Sequence, residues 1–362
     1  MKLQSPQKEI YSKERFTALQ AQRLAQEIAF GPIIFQVSRL MIKFGIFQML
    51  DDCSKEGMTM DEVSKAANIS GYAAKVLLES SLTTGTVLFK NDKFFLAKPG
   101  WFLLHDEMAR VNMDFNHDVN YLGMFNLEEA LLNGKPEGLK VFGDWETVYE
   151  GLSQLPPQVQ KSWFGFDHFY SDNSFAQALK IVFKNKPRTL LDVGGNTGRW
   201  ALQCVKYNKD VTVTIMDLPQ QLEMMRKQTA GIEGAERING YGCDLLNPAT
   251  KFPENFDAIW MSQFLDCFSE TEVISILSRA AKSMAKDCKL YIMETFWDSQ
   301  RFETASYCLS QISLYFTAIA NGNSKMYYSG DMAACVDKAG LKIDNIYDGL
   351  GLGHSIMQCS IK

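Results

Sequence analysis

The stretch that decides the fold is RTLLDVGGNTGRWALQ, Arg188–Gln203. An apolar run ends at Asp192, and the glycines Gly194, Gly195 and Gly198 then lead into a helix-compatible segment. Glycine adopts positive φ readily and lets a ligand approach the backbone, and the N-terminus of a helix can face that ligand. The pattern therefore predicts a strand–turn–helix unit that holds a ligand on its glycine turn.

From residue 186 onward the sequence alternates between strand and helix patterns. Strands are expected at Thr189–Val193, Val211–Asp217, Ile238–Gly242, Phe256–Ser262 and Lys289–Glu294. Helices are expected at Gly198–Tyr207, Pro219–Ala230, Glu270–Ala285 and Phe302–Ala320. This alternation predicts an α/β fold with a doubly wound, parallel sheet.

The segment LKIDNIYDGLGLGHSIMQCSIK, residues 341–362, departs from the alternation. Its two β-patterned runs are joined only by residues 349–353. A parallel crossover needs about a dozen residues or more, so these two strands are expected to pair antiparallel. A dinucleotide-binding sheet normally stays parallel throughout, and the hairpin therefore argues against that class.

Two further acids define the ligand that the glycine turn would hold. Asp217 ends the second strand 19 residues after Gly198, where a carboxylate can accept both hydroxyls of a ribose. Asp244 ends the third strand, where it can bind an adenine amino group or simply cap a turn. The strict GxGxxG phosphate fingerprint and the GxxxxGK[ST] loop are both missing. These features favour S-adenosylmethionine over NAD, with a dehydrogenase as one alternative.

The sequence before residue 186 divides into two regions. Residues 1–105 show three helical stretches and a hairpin signal around residues 90–92, which is the order of a winged helix. Thr59 and Glu62 form a capping box for one helix, and Ser70 can cap the next. Residues 106–185 read as a helical connector rich in aromatic side chains, and residues 186–362 as the cofactor-binding domain.

The charge and hydropathy of the sequence limit the classes of partner that the protein is expected to bind. The net charge is −5, and residues 51–82 carry six acids against three bases, so the winged helix is not expected to bind nucleic acid. The apolar helices of residues 16–50 exceed what a small winged helix needs for its own core, so a homodimer through them is expected. A ligand-responsive winged-helix regulator is the alternative from another functional class.

The most apolar segment, residues 30–50, is long enough to span a bilayer, but Arg39 and Lys43 near its middle make that unfavourable. The first 16 residues lack the apolar run of a secretory signal. The eight cysteines include no CxxC pair, which leaves no zinc spacing. The sequence therefore predicts a cytoplasmic protein without a metal site or membrane association.

At this point the chain resembles the S-adenosylmethionine-dependent O-methyltransferases of small molecules, which include plant caffeate-type and bacterial natural-product enzymes. The resemblance covers nearly the whole chain, and its most specific parts are LLDVGGNTG and VTIMDLPQ, followed by GCDLL and by FLDCFSETEVISIL before LYIMETF. It implies a methyltransferase sheet that ends in an antiparallel hairpin, a dimerising winged helix, and methyl transfer to the oxygen of a small aromatic acceptor.

The resemblance also implies a cofactor site. Gly194 would lie against the methionine end of the cofactor, Asp217 would hold the ribose, and Asp244 with Leu245 would bracket the adenine. The full set of cofactor-binding residues expected in this way is Asp192, Gly194, Gly195, Gly198, Asp217, Leu218, Asp244, Leu245 and Ser262.

The expected catalytic position departs from the family pattern. The family places a histidine after the fourth strand, where this chain has Asp266. An aspartate can serve as the base if burial raises its pKa, or it can instead cap the helix near residue 269. Glu294 ends the fifth strand, where the family has a glutamate that orients the histidine; the second family glutamate is missing, and Met326 lies near its position. We therefore expect catalysis by Asp266 with Glu294 behind it.

The expected acceptor-binding residues are Phe164, His168, Phe264 and His354. Either histidine could supply the base in place of the aspartate. A relative that binds the cofactor but has lost methyl transfer is a further alternative, because the triad of the family is incomplete here.

Overall fold

The computed structural model describes residues 7–362, with side chains from residue 9, and they form two compact units, Lys8–His117 and Asp118–Lys362. The three-part division of the sequence at residues 105 and 185 stays a prediction, and its first six residues lie outside the described part. All eight cysteines are free, and four of them are buried.

The first unit is helical with one hairpin. Its elements are α1 (Gln7–Tyr11), α2 (Ala18–Ala29), α3 (Gly31–Lys43), α4 (Ile46–Asp52), α5 (Met60–Ala66), α6 (Gly71–Thr83), β1 (Val87–Lys90), β2 (Lys93–Leu96), α7 (Lys98–His105) and α8 (Glu107–Phe115). The expected capping box opens α5: Glu62 N donates to Thr59 Oγ1 at 3.3 Å, and Thr59 N donates to Glu62 Oε2 at 2.7 Å. The expected Ser70 cap of α6 is also present.

The helix α2 leaves an apolar surface without cover in the described chain. It has no buried residue, and Leu19 and Ile28 are 79% and 72% exposed. Ile33 at the start of α3 continues this surface. Among the described residues, no single helix is long and apolar enough to cross a membrane; α3 and α4 pass such a test only when taken together across a 59° bend.

The second unit carries the sheet. Its elements are α9 (Leu127–Asn133), α10 (Val148–Gly151), α11 (Pro157–Asp172), α12 (Phe175–Val182), β3 (Thr189–Val193), α13 (Arg199–Tyr207), β4 (Thr212–Asp217), α14 (Pro219–Thr229), β5 (Ile238–Gly242), β6 (Ala258–Ser262), α15 (Glu270–Ser283), β7 (Lys289–Glu294), α16 (Glu303–Tyr315), α17 (Ser329–Lys338), β8 (Leu341–Leu350) and β9 (His354–Ile361). Two strands start one or two residues later than the sequence indicated, and α16 continues as a π-helical turn, Phe316–Ala320.

The seven strands are ordered β5-β4-β3-β6-β7-β9-β8. The first five are parallel, and β9 lies antiparallel between β7 and β8, with Glu294 opposite Ser355. This confirms the doubly wound sheet with a reversed hairpin. Because the parallel strands all end at one edge, that edge collects the acids that end β4 and β7 and the segments that follow β3, β5 and β6.

Both faces of the sheet are covered by apolar cores. Leu191 and Val193 of β3 belong to the core under α15 and α17, whereas Leu190 belongs to the core that includes α12 and α13. The sheet is thus fixed from both sides, which makes its carboxyl edge a rigid platform for a site.

Candidate active site

The turn after β3 has the backbone that the glycines were expected to allow. Gly194 and Gly198 have φ of +73° and +82°, and Asn196 between them is also left-handed at +48°. A Cβ on Gly194 would lie 2.2 Å from the ring of Phe264, closer than packing permits. Gly198 opens α13, whose N-terminus therefore faces the turn. The glycine at 194 thus lets the Phe264 ring pack directly against the backbone of the turn.

Asp217 supports this turn from the neighbouring strand. Its Oδ2 accepts from Asn196 N at 2.8 Å, and its Oδ1 accepts from Leu218 N at 2.7 Å. Burial raises its pKa more than these two bonds lower it. Each carboxylate oxygen keeps a second lone pair, so the partly exposed carboxyl can still accept the two hydroxyls of a ribose.

Asp192 lies beneath the turn. It is only 2% exposed, and its Oδ2 has no hydrogen-bond partner. A Cβ on Gly195 would come within 2.6 Å of that oxygen, so the glycine lets the turn close over the carboxyl. Burial, and then the charge of Asp217, raise the pKa of Asp192 to about 8. An orphaned carboxyl under a glycine cradle fits a ligand that brings a positive group, as the methionine end of S-adenosylmethionine does.

The loop after β5 holds the expected adenine end. Asp244 is exposed, and its Oδ1 accepts from Leu246 N at 2.8 Å. Arg279 on α15 fixes the loop by donating to Leu245 O at 2.6 Å and to two further carbonyls. One expectation needs correction: the Leu245 side chain is 7% exposed and packs in the core, so the exposed Leu246 is the better contact for an adenine ring. Ser262 ends β6 and is partly buried.

Asp266 lies in a short helical turn after β6 and is 4% exposed. It does not cap the following helix, because Ser269 does so through a capping box with Glu272. Burial raises the pKa of Asp266 to about 7, and the Cys267 thiol donates to its Oδ1 at 3.5 Å. The structure thus gives Asp266 the property that a base was expected to need.

Glu294 holds the backbone that precedes Asp266. Its Oε1 accepts from Phe264 N at 3.1 Å and from Leu265 N at 2.8 Å. Its Oε2 is buried and has no partner. Burial and then the charge of Asp266 raise the pKa of Glu294. The charge of Asp266 thus disfavours ionisation of Glu294.

The segment that carries Asp266 is held from several sides. Gln263 has a strained φ of +44° directly after β6. Asn321 donates to Cys267 O, and the Tyr327 hydroxyl donates to Phe268 O. Sequence reasoning missed both of these residues, because they lie more than 50 positions away and carry no motif.

Three of the four expected acceptor residues, Phe264, Phe164 and His168, make ring contacts. Phe264 packs edge-on against Phe268, and Phe164 stacks on His168 at 5.9 Å. Burial lowers the pKa of His168, whose Nδ1 lies 3.6 Å from Asp167 Oδ2.

His354 is the exception. It is wholly buried, both ring nitrogens lack partners, and burial lowers its pKa to about 4. The expectation that His354 contacts the acceptor is therefore corrected: it is a neutral packing residue.

The sequence also missed the polar groups of α11 and its surroundings. Burial, and then the charge of Asp266, raise the pKa of Asp167 to about 7. Trp163 Nε1 donates to the Tyr315 hydroxyl at 2.6 Å. The hydroxyl of Tyr149 is buried, and the charge of Asp266 is one of the causes that raise its pKa. The charge of Asp266 thus acts on Asp167, Tyr149 and Tyr315.

Comparisons with known proteins agree with this geometry. Residues 22–94 match the model of the Dimerisation2-like domain, and residues 127–342, more than half of the chain, match the model of the O-methyltransferase domain. The second match spans the glycine turn, the acids of the carboxyl edge and the segment of Asp266.

Individual relatives are distant. The chain is 21% identical to L-tyrosine C(3)-methyltransferase of Streptomyces lavendulae, over 86% of this chain and 85% of the relative. It is 24% identical to norreticuline-7-O-methyltransferase of Papaver somniferum, over 63% and 61%.

Among solved structures, the O-methyltransferase NcsB1 from neocarzinostatin biosynthesis, in complex with S-adenosylmethionine and 2-hydroxy-5-methyl naphthoic acid, aligns with a TM-score of 0.68 and 15% identity, over 91% of this chain and 96% of that one. That structure shares the fold. Because the family model matches more than half of the chain, and because the glycine turn and its acids are present, the chain belongs to the O-methyltransferase domain family. It is an S-adenosylmethionine-dependent methyltransferase.

Proposed function

We propose that the enzyme transfers the methyl group to the phenolic oxygen of a small aromatic acceptor, with Asp266 as the base and Glu294 as its positioning residue. The observation that carries the proposal is the buried pair of Asp266, after β6, and Glu294, at the end of β7, in which the pKa of Asp266 is raised from 3.8 to about 7. A base is most effective when its pKa lies near the working pH, and this one does.

The chemistry needs little beyond alignment and a proton acceptor. Bound S-adenosylmethionine supplies a methyl group that is already activated on a sulfonium. Asp266 takes the hydroxyl proton while the oxygen–carbon bond forms and the carbon–sulfur bond breaks. A phenol pKa of about 10 is three units from that of Asp266, compared with about six for an ordinary aspartate. Glu294 holds the backbone N–H groups ahead of Asp266 and so fixes its position.

The aromatic character of the acceptor rests on the walls of the site. Phe264 and Phe268 precede and follow Asp266, and Trp163, Phe164 and His168 lie on α11. Flat rings packed edge-on or stacked suit a flat aromatic ligand. The acceptors named for norreticuline-7-O-methyltransferase and NcsB1 support the same assignment for this chain.

A second candidate is transfer to a ring carbon beside the hydroxyl, and one relative favours it by name, the L-tyrosine C(3)-methyltransferase. Asp266 would take the phenol proton, and the ring carbon would bond to the methyl carbon as the carbon–sulfur bond breaks. The resulting dienone would then lose its ring proton to solvent while its oxygen regains a proton, which restores the phenol. The two products have the same mass, so their nuclear magnetic resonance spectra decide: a methyl ether supports the first candidate, and an aryl methyl group supports the second.

The experiment that tests the base is the Asp266→Asn variant. Because the reaction requires an ionised Asp266, kcat/KM should rise with pH through an apparent pKa near 7 and level off above it. Asp266→Asn should remove this rise and lower kcat by about 10²–10⁴-fold. The exposed Asp210→Asn variant serves as the control, and it should keep both the rise and the rate. A near-normal rate for Asp266→Asn would contradict the assignment.

We also propose that the enzyme is a homodimer built on α2 and α3. The match to a dimerisation domain over residues 22–94 and the exposed apolar side chains of α2 support this assembly.

A further inference from the structure

Residues 264–268 carry Asp266 and lie outside the strands of the sheet. The carboxylate that ends β7 accepts from the first two N–H groups of this segment. The carbonyl groups of Cys267 and Phe268, directly after Asp266, accept hydrogen bonds from side chains of a distant segment, residues 321–327. The position of Asp266 therefore depends on that segment as well as on β7.

Asn321 supplies the first of these two hydrogen bonds. Its Nδ2 donates to Cys267 O and, at 2.8 Å, to Ser324 Oγ. Its Oδ1 accepts from Asn323 N at 3.1 Å and from Ser324 N at 3.2 Å. The oxygen of the amide thus holds the turn that follows Asn321, and the nitrogen holds the segment of Asp266. The two ends of this side chain can be tested separately, because aspartate keeps the oxygen and loses the nitrogen donor.

The backbone around Asn321 is fixed by local structure. The π-helical turn Phe316–Ala320 ends there, and Asn321 N donates to Phe316 O at 3.1 Å. Gly322 has a φ of +86°, and a Cβ on it would lie 2.4 Å from the backbone of Lys135. π-Helical turns are rare and frequently occur at functional sites. Asn321 therefore belongs to a closely packed turn, as a side chain that holds another segment requires.

Tyr327 supplies the second hydrogen bond. Its hydroxyl donates to Phe268 O, and the residue is 2% exposed within the core under α15 and α17. The packed ring sets the position of the hydroxyl, so Phe268 O is held from the core. Phenylalanine at this position would keep the ring and remove only the donor.

These two hydrogen bonds act on a segment that follows a strained residue. Gln263 has a φ of +44°, and such a residue keeps its conformation only when its surroundings fix it. Cys267, whose carbonyl accepts from Asn321, also donates its thiol to Asp266 Oδ1 at 3.5 Å. Loss of either hydrogen bond should therefore let the segment relax and displace the carboxyl of Asp266.

We propose that Asn321 and Tyr327 are positioning residues for methyl transfer, which hold the carboxyl of Asp266 against the acceptor hydroxyl by fixing the backbone that follows it. This inference rests on the proposed function, because it takes Asp266 as the base. A misplacement of about 1 Å can lower a rate by about 100-fold, so the two side chains should matter for turnover more than for cofactor binding.

The test uses two variants that each remove one donor, Tyr327→Phe and Asn321→Asp. Tyr347→Phe is the control for a lost hydroxyl, since Tyr347 on β8 donates to Gln358 Oε1 at 3.2 Å. Asn323→Asp is the control for the added charge, at an exposed residue of the same turn. Initial rates are measured with S-adenosylmethionine and with catechol, 1-naphthol and 3-hydroxybenzoic acid as acceptors.

Both test variants should lower kcat by about 10–100-fold on every acceptor that the unaltered enzyme methylates. The KM for S-adenosylmethionine should stay within about 3-fold, and both controls should keep the kcat of the unaltered enzyme. When Asp266→Asn is already present, the same substitutions should change kcat by less than about 2-fold, because no base remains to be positioned. Donors with a purely structural role would instead lower kcat equally with and without Asp266.

Hydrogen exchange followed by mass spectrometry gives a measurement that needs no acceptor, and it decides if none of the three phenols is methylated. In the enzyme loaded with S-adenosylhomocysteine, residues 263–268 should exchange faster in both test variants and at the unaltered rate in both controls. Unchanged exchange in a folded Tyr327→Phe variant would overturn the inference. Tyr327→Phe decides by itself if Asn321→Asp fails to fold.

The rates also separate this inference from the base itself. Unchanged kcat in both test variants beside a slow Asp266→Asn variant would remove only the inference, and so would losses of equal size with and without Asp266. A near-normal rate for Asp266→Asn alone would remove the proposed base, and this inference with it.

Discussion

The carboxyl group of Asp217 has two roles: it accepts hydrogen bonds that hold the glycine turn, and it is expected to bind the ribose. Asp217→Ala should weaken binding of S-adenosylhomocysteine by about 1.5–3 kcal/mol, the range for hydrogen bonds to a charged group. Loss of the bonds to Asn196 N and Leu218 N adds to that effect. Titration calorimetry measures it, with Asp210→Ala as an exposed control. Unchanged affinity would remove Asp217 from the site.

At the residue scale, the sequence predicted best where an acid ends a strand. Asp192 and Asp217 could be placed because the backbone pattern fixes which end of a strand meets the ligand. Leu245 was placed wrongly because its side chain turns into the core while that of Leu246 is exposed, and His354 because its ring is wholly buried, which no local pattern indicates. Asp167 was missed, although it precedes His168, because only the fold brings α11 beside the acid that follows β6.

At the element scale, the turn between β3 and α13 offers a matched comparison. Gly194 and Gly349 share the same φ of +73°, but a Cβ on Gly194 meets the ring of Phe264, while a Cβ on Gly349 meets nothing within 4 Å. Both alanine variants should lose about 1–2 kcal/mol to backbone strain. Only Gly194→Ala should also lose affinity for S-adenosylhomocysteine, by at least about 10-fold. Equal affinities in calorimetry would show that the packing of Phe264 against Gly194 does not shape the cofactor site.

The strands of the sheet and the helices between them followed closely from the sequence, whereas α17 (Ser329–Lys338) was not predicted. The periodicity of the apolar residues predicted the strands of the sheet, and the capping residues predicted the starts of α5 and α6, because both signals are local. The π-helical turn at residues 316–320 and the left-handed Gln263 did not follow from it. Both depend on packing around the site, which overrides local preference.

At the scale of the whole molecule, the apolar surface of α2 predicts association. Ile28→Glu, at a side chain 72% exposed, should convert the expected dimer to a monomer, because it places a charge in an interface that must exclude water. Sedimentation velocity measures the mass at micromolar concentration. Ile232→Glu, at a side chain 45% exposed in the other unit, should leave the mass unchanged. A monomeric unaltered protein would contradict the homodimer.

The position of β9 has a consequence for how the protein is made. Residues 354–361 insert between β7 and β8, so the ribosome synthesises this strand after both of its neighbours. Until it arrives, β7 presents an open edge with the apolar side chains Leu290 and Ile292. Such an edge recruits other nascent strands, and chaperones commonly shield it during translation. Polypeptides released before residue 354 should therefore aggregate or be degraded, rather than accumulate as a nearly complete enzyme.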